Sequence, residues 1–547
     1  MLTRLKNARV YDPVQKLDGE LMELWIRDDR IVDPSQITDR ESAITYDLDG
    51  AITMTGGVDI HSHIAGGNVN TARLLLPDQH RNHLQRQERL PFYNARWSSF
   101  ETGYRYTEMG YSMVVEPAML PVNAPQEHRE MADIPIIDTA ALAILGSDDL
   151  LVSMLRSGAS QDQINDYVSW TINTTQALGL KVINAGGSQA FKAGVEQFGL
   201  DDEVPDYGIS PRRLLASLQT AVHQLGIPHP VHVHCNNLGV PGNVQTAIDT
   251  MEAAQGLPMH LAHVQFYGYG AEGNRGFSSA AAQLMEAFNR HPNITMDVGQ
   301  VLFGQTVTMS GDIIAQFSRR GDASPHKWVM WHAEDEGSGG IVPYQYKKAS
   351  FVNGLQWAIG LEIFLLSGDP WRLFFTTDHP NGAPFTRYPD LLHLLMDYDF
   401  RMACLAELDP EIMELTLLKD LKQEFSLYDI AIMTRAAPAK LLGLNDRGHL
   451  QPGALADIAV YHEQDDKAAM FRKAQWVFKN GQLIIERGEF VKRQFGQTMT
   501  VKPHFDRQIE TTVKDYFDRF YSMKLSNYGV QDDLLFDQPE RFSAINL

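Results

Sequence analysis

Cysteine is nearly absent from this chain. Two occur in 547 residues, Cys235 and Cys404, which excludes a disulfide framework and suits a reducing compartment. Long apolar runs are missing too: no stretch of about 18 uncharged apolar residues exists, so no helix is expected to span a membrane. The opening run, Met1-Leu-Thr-Arg-Leu-Lys-Asn-Ala-Arg9, lacks the apolar core of a signal peptide, and a cytoplasmic protein is expected. Positive charge is in deficit, with 47 Lys+Arg against 68 Asp+Glu and a net charge of −21. Such a surface repels phosphates and argues against a nucleic-acid partner. Solubility alone accounts for the acidity.

Hydrophobic content of 44% with 10% aromatics is ordinary for a globular enzyme. The length predicts a large domain with appendages, or two to three domains. Residues 1–51 hold short strand-like runs broken by Asp, Gly, Pro and Asn, and the same texture returns over 441–496, where Asn480-Gly481 signals a hairpin. The two segments are expected to build one small composite β domain. Between them, residues 52–440 alternate. Strand-like runs lie at 52–63, 112–116, 135–145, 180–185, 230–235, 259–265, 294–299 and 373–378. Helical stripes lie between, such as Val244, Ala247, Ile248 and Met251 within Asn243–Gln255, with Asn243 as an N-cap, and Leu284, Met285 and Phe288 within Ser279–Arg290. Eight strands alternating with helices predict an α/β fold, a (β/α)₈ TIM-like barrel. The connection over 300–372 is too long for a loop and reads as an active-site insertion with its own structure. Residues 497–547 form a C-terminal extension with one amphipathic stretch, Gln508–Met523, expected to pack on the barrel exterior or another subunit.

The most informative run is Ile52-Thr-Met-Thr-Gly-Gly-Val-Asp-Ile-His-Ser-His63. Residues two apart on a strand share a face, so His61 and His63 aim two imidazoles at one point. In a barrel enzyme the chemistry sits at the C-terminal strand ends. Those ends supply His61 and His63 on strand 1, Lys181 on strand 4, His232 and His234 on strand 5, His263 on strand 6 and Asp378 on strand 8. Imidazoles with a carboxylate suit zinc or a similar divalent ion better than calcium or magnesium. Lys181 interrupts an apolar strand, where an unpaired ammonium is costly. A neutral lysine there that captures carbon dioxide becomes a carbamate able to bridge two cations; the alternative is a surface lysine. His234 reads as the strand-5 ligand with His232 one layer deeper, although the opposite assignment stays open. His260 reads as structural, on the other strand face from His263, and Cys235 as a small packed side chain.

This order of residues resembles the amidohydrolase superfamily, as does Ile432-Met-Thr-Arg-Ala-Ala-Pro-Ala-Lys-Leu-Leu-Gly443 followed by Gly448-His-Leu-Gln-Pro-Gly-Ala-Leu-Ala-Asp457. Within it, four runs resemble the A subunits of formylmethanofuran dehydrogenase and of its methylotroph counterpart, the formyltransferase/hydrolase complex: Gly56-Gly-Val-Asp-Ile-His-Ser-His-Ile-Ala-Gly-Gly-Asn68, Lys181-Val-Ile-Asn-Ala-Gly-Gly187, His234-Cys-Asn-Asn-Leu-Gly239 and Gly337-Ser-Gly-Gly-Ile-Val-Pro343. The overall length and the amino-terminal run favour the bacterial complex. The resemblance implies two divalent metals, held by His61, His63, a carbamylated Lys181, His234, His263 and Asp378. It implies hydrolysis of an N-formyl group on a methylofuran-type furfurylamine carrier to formate and free amine, beside a formyltransferase and other subunits of a hetero-oligomer. Asp378 would act as base and then acid. Asn184, Asn236 and Asn237 would orient the formamide, and His332 and His379 would stabilise the oxyanion.

Residues 71–106 hold Arg73, Arg81, Arg86, Arg89, Arg96 and Arg105 against Asp78, Glu88 and Glu101. Arginine forks match the glutamate-rich tails of such carriers; an ordinary salt-bridged surface is the competing account. Three other functions remain open: the A subunit of a redox dehydrogenase complex, a cyclic amidohydrolase acting on hydantoin- or dihydroorotate-like rings, and a non-catalytic scaffold.

Overall fold

The chain leaves one sheet and enters another across a single residue, Gly56. Ile52–Thr55 pairs antiparallel with Ile458–Tyr461 and parallel with Leu2–Asp12, whereas Gly57–Asp59 pairs with Tyr111–Met119. A Cβ at Gly56 would stand 2.5 Å from Ser112 Oγ, so only glycine lets the strands cross this closely. The run 52–63, expected as one strand, is therefore two, and His61 and His63 lie beyond the end of the second. The computed structural model describes residues 1–38, 42–77, 81, 98–195, 197–273, 275–310, 329–332, 338–531 and 541–547.

Eight parallel strands form the barrel wall: β1 (Gly57–Asp59), β2 (Tyr111–Met119), β3 (Asp138–Ile144), β4 (Gly179–Ile183), β5 (Val231–His234), β6 (Met259–Leu261), β7 (Ile294–Asp297) and β8 (Leu373–Phe374). Each pairs with the next in chain order. The wall closes at its upper rim, where Ser62 bridges His379 and the His63 amide donates to the His379 carbonyl at 2.9 Å. Most of these strands are buried along their length, which is why they read as near-continuous apolar runs. The crossover helices start where the side chains dictate. Ser160 and Gln163 make a capping box for Gln161–Thr175, and Ser210 caps Pro211–Gln224. Val244, Ala247, Ile248 and Met251 are buried on Val244–Ala253, as their spacing predicts. Asn243 caps nothing with its side chain; it donates instead to the carbonyls of Asn237 and Phe266. No helix among the described residues is long and apolar enough to cross a membrane.

Leu2–Arg27 and Ile458–Phe490 contribute to one nine-stranded sheet from both halves of the chain, around a core of Leu5, Val10, Ile26, Ile458 and Phe478. After β7 comes a three-stranded antiparallel unit, Gly304–Ser310, Ser338–Tyr346 and Val329–His332. The helix Phe351–Leu366 then leads into β8 and packs on Ala281–Arg290. The extra structure thus ends near residue 350 rather than 372, because this buried helix is the ordinary crossover of the barrel. The tail does more than lie on the exterior. Thr498–Val501 pairs parallel with β3, and Phe542–Ile545 pairs with Thr498–Val501. Its helix, Gln508–Phe520, buries Ile509, Val513 and Phe517.

Candidate metal centre at the barrel mouth

His61 and His63 follow β1 in a segment held from behind. Asp59 accepts from the His61 amide (3.0 Å), Tyr106 (2.8 Å) and Tyr388. The ring of each histidine is oriented by a carboxylate: His61 Nδ1 lies 2.9 Å from Asp297 Oδ2, and His63 Nδ1 lies 2.9 Å from Glu116 Oε1. A carboxylate that holds Nδ1 of an imidazole turns Nε2 toward a would-be ion, the arrangement that outer carboxylates impose on metal-binding histidines. Both Nε2 atoms point at one oxygen. Asp378 Oδ1 is 3.2 Å from His61 Nε2 and 3.6 Å from His63 Nε2. Ligands of a tetrahedral zinc stand roughly 3.3 Å apart, and these three groups converge closely enough to hold an ion.

Asp378 and His263 both take left-handed backbone, at φ 50° and 35°, an uncommon state that concentrates at functional sites. Gly299 lets them approach: a Cβ there would meet His263 Cβ at 2.4 Å and Asp378 Cβ at 3.4 Å. The reversal at His263 also changes which way its neighbours face. His260, expected on the opposite face, points inward and places Nε2 3.0 Å from Asp297 Oδ2. Counting in twos holds only within the strand, and β6 ends at Leu261.

Below the mouth runs a buried chain of imidazoles. His229 Nε2 is 3.1 Å from His232 Nδ1, and His232 Nε2 is 3.0 Å from His61 Nδ1. His61, His232 and Asp297 also converge, but their separations of 2.9 and 3.0 Å are hydrogen bonds. His234 lies one residue pair higher on β5, its ring 4.6 Å from that of His263.

Three buried atoms at the mouth find no hydrogen-bond partner among the described residues: Lys181 Nζ, His263 Nδ1 and Asp378 Oδ1. Burial costs an isolated polar group heavily, so such a cluster around oriented imidazoles fits a bound cation. Burial lowers the Lys181 amine to about 8, against the opposing pull of Asp297 and Asp378. Burial works against protonating His61, but Asp297 and Asp378 outweigh it and raise that ring to about 9. Burial likewise opposes ionising Asp378, yet His263 and His61 hold it well below the usual carboxylate range.

The outlying predicted residues divide. Asn184 is left-handed at φ 47° with its Oδ1 buried and unpartnered among the described residues. Asn237 is committed elsewhere: its Oδ1 accepts from the Phe198 amide (2.9 Å) and its Nδ2 donates to Thr246 (3.3 Å). Asn236 donates to the Ala185 carbonyl at 3.3 Å. Asn237 thus ties the loop after β5 to Phe198 and Thr246, and Asn236 ties it to the segment after β4. His379 Nδ1 lies 3.3 Å from the Phe385 amide; burial, Arg73 and His63 push its ring well below the usual imidazole range, against the pull of Asp378 and the Ala383 carbonyl. The His332 side chain lies outside the described residues, as do Asp78, Arg86, Glu88, Arg89 and Arg96. Arg73 is buried and donates to the Ile64 carbonyl at 2.8 Å, and Arg105 pairs with Glu101 and Glu108. Neither is the free fork expected of residues 71–106. Asp297 and Glu116, which orient the histidines, have no place in the ligand set that the sequence suggests; each lies at or near the end of a barrel strand, the position that marks the others. Phe266, Val301 and Tyr346, with Leu238 and Phe303, form an apolar wall beside the mouth.

Residues 45–485 match the sequence profile of the amidohydrolase family. The A subunit of the formyltransferase/hydrolase complex Fhc of Methylorubrum extorquens is 46% identical, over 97% of this chain and 97% of that protein. Protein FwdA of Methanocaldococcus jannaschii is 35% identical, over 97% and 96%. The crystal structure of the M. extorquens complex FhcABCD with methylofuran superposes with a TM-score of 0.94 at 44% identity, covering all of both chains. A hydrolase-type barrel, read from its strand ends and matched from end to end, leaves one assignment: this chain belongs to the amidohydrolase family.

Proposed function

We propose that this chain is the hydrolytic A subunit of a formyltransferase/hydrolase complex, cleaving the N-formyl group of a methylofuran-type carrier to formate and free amine. The observation that carries the reading is the end-to-end likeness to the M. extorquens protein, whose complex was crystallised with methylofuran. His61, His63, His234, His263, Asp378 and a carbamylated Lys181 would hold two divalent ions, zinc by the donor set. Bound there, the ions would acidify a water and polarise the formyl oxygen. The amine of Lys181 suits carbamylation because burial enlarges its neutral fraction near neutral pH. Asp378 is ionised and aimed at the mouth, so its Oδ1 can take the water's proton and return it to the leaving nitrogen. His379, buried close to His63 and Asp378, would stabilise the oxyanion. The wall of Phe266, Val301 and Tyr346 offers an apolar surface to the furan ring.

Incubation of the natively purified complex with formylated carrier should release formate and free carrier in equal amounts. Size-exclusion chromatography should show co-migrating partners well above the 61.5 kDa of one chain. A lone monomer that hydrolyses hydantoin-like rings and ignores the formylated carrier would overturn the reading.

A further inference from the structure

The inserted strands reach Asp378 through one side chain. Asn381 lies in the turn after Asp378, closed by its amide donating to the Asp378 carbonyl (2.6 Å) and by the Gly382 amide donating to Thr377 (3.0 Å). Gly382 is confined there, since a Cβ would meet the carbonyl oxygens of Gln300 and Thr377 at 2.5 and 2.7 Å. The Asn381 side chain is buried and engaged at both ends. Its Nδ2 donates to Asp378 Oδ2 at 2.9 Å, and its Oδ1 accepts from the Met309 amide at 2.5 Å.

Met309 sits in Gly304–Ser310, opposite Ile341 of Ser338–Tyr346. Its amide points away from that ladder, toward the barrel, where Thr306 also donates to the Pro380 carbonyl. Two consequences follow from these contacts. A carboxylate with one oxygen pinned by an amide cannot swing freely, so Oδ1 is the oxygen left facing His61 and His63. The strand Ser338–Tyr346 also carries Tyr346, packed on Phe266 and Val301 at the mouth. The apolar wall and the carboxylate are therefore tied to the same amide group.

We propose that Asn381 is a positioning residue that fixes the orientation of Asp378 and couples it to the seating of strands Gly304–Ser310 and Ser338–Tyr346 beside the barrel mouth. The activity readout rests on the hydrolytic function proposed above; the exchange readout does not.

Two substitutions separate the two bonds. Asn381→Asp keeps an acceptor for Met309 but sets an oxygen against Asp378 Oδ2. Met309→Pro removes the donor on the inserted strand while leaving the bond to Asp378, and because this amide faces Asn381 rather than the ladder, the pairing with Ser338–Tyr346 does not depend on it. The purified complex would be compared for metal content, for kcat and KM with formylated carrier, and for amide hydrogen exchange across 304–310. Asn381→Asp should keep its metal and its exchange pattern while kcat falls about 10–100-fold at near-constant KM, the usual cost of a misplaced reacting group. Met309→Pro should exchange faster and raise KM, with a smaller loss of kcat. Asn381→Ala should show both effects. Wild-type kcat in Asn381→Asp, metal lost in proportion to kcat, or unchanged exchange in Asn381→Ala would each overturn the proposal. If the wild-type complex releases no formate, the hydrolytic reading fails, and exchange in Asn381→Ala alone still decides whether Asn381 secures the inserted strands.

Discussion

The two sides of the barrel mouth are built on different terms. Along the seam between β8 and β1, each ligand-type group is oriented by a neighbour, His61 by Asp297, His63 by Glu116 and Asp378 through its Oδ2 by Asn381, which leaves Asp378 Oδ1 as the seam atom without a hydrogen-bond partner among the described residues. Across the mouth, Lys181 Nζ and His263 Nδ1 are buried with no hydrogen-bond partner among the described residues. A pre-oriented side costs little to organise when a ligand arrives. The unsatisfied side carries a desolvation cost that a cation or a carbamate would remove. The contrast indicates that the seam sets geometry and the far side supplies driving force for occupancy.

Four experiments press on that contrast, beginning with the largest effect. Lys181→Ala should lose bound metal and activity together, with partial rescue by acetate standing in for the missing carbamate. Full metal and full turnover in that variant would remove the bridge and leave the far side without its main element. Asp378→Asn should keep the fold and lower turnover by at least about 10²-fold, the reach of a general base. If hydrolysis is undiminished, another base acts, and His379 is the first to test.

The third experiment uses metal-stripped protein. His61 has a folded-state value of about 9, above the 6.5 it starts from. Its contribution is fully present below pH 6.5 and is lost as pH rises through 9, on the order of 3 kcal/mol in all. Denaturant unfolding across pH 6 to 9.5 should show that decline in the wild type and a flattened curve in Asp297→Asn. An equal decline in both would mean that Asp297 does not govern the seam. The smallest effect is expected of Glu116→Gln, which keeps the shape but weakens the hold on His63. Chelator competition should show metal affinity reduced about tenfold, the lower end for a residue that orients a ligand.

Much of the fold is legible in the sequence alone. The barrel strands are short runs buried by their neighbours and bounded by Gly, Asn and Pro, so apolar continuity marks them. His61-x-His63 is legible because both its members and their spacing are local. Asp297 is not, although it ends β7, because its meaning comes from imidazoles just after β1 and on β5 and β6 that meet only when the barrel closes. Glu116 and Asn381 share that defect. A lone carboxylate or amide has no spacing to betray it. The orientation of His260 escapes for a different reason: strand parity does not extend past Leu261, where the left-handed turn at His263 cancels it.

The pairing of Ile52–Thr55 with Ile458–Tyr461 has a consequence for synthesis. A ribosome adding about 5–20 residues each second needs roughly 20–80 s to travel from one strand to the other. For that interval the opening strands lack their central partner, and the segment leading to His61 and His63 is anchored at its near end on Leu2–Asp12 alone. The gap beside β3 waits longer still, until Thr498–Val501 emerges. This protein cannot mature in sequence from its first residue. Its barrel wall can close once His379 is made, but the sheet beside it stays open-edged and exposed to misassociation until Ile458–Tyr461 follows.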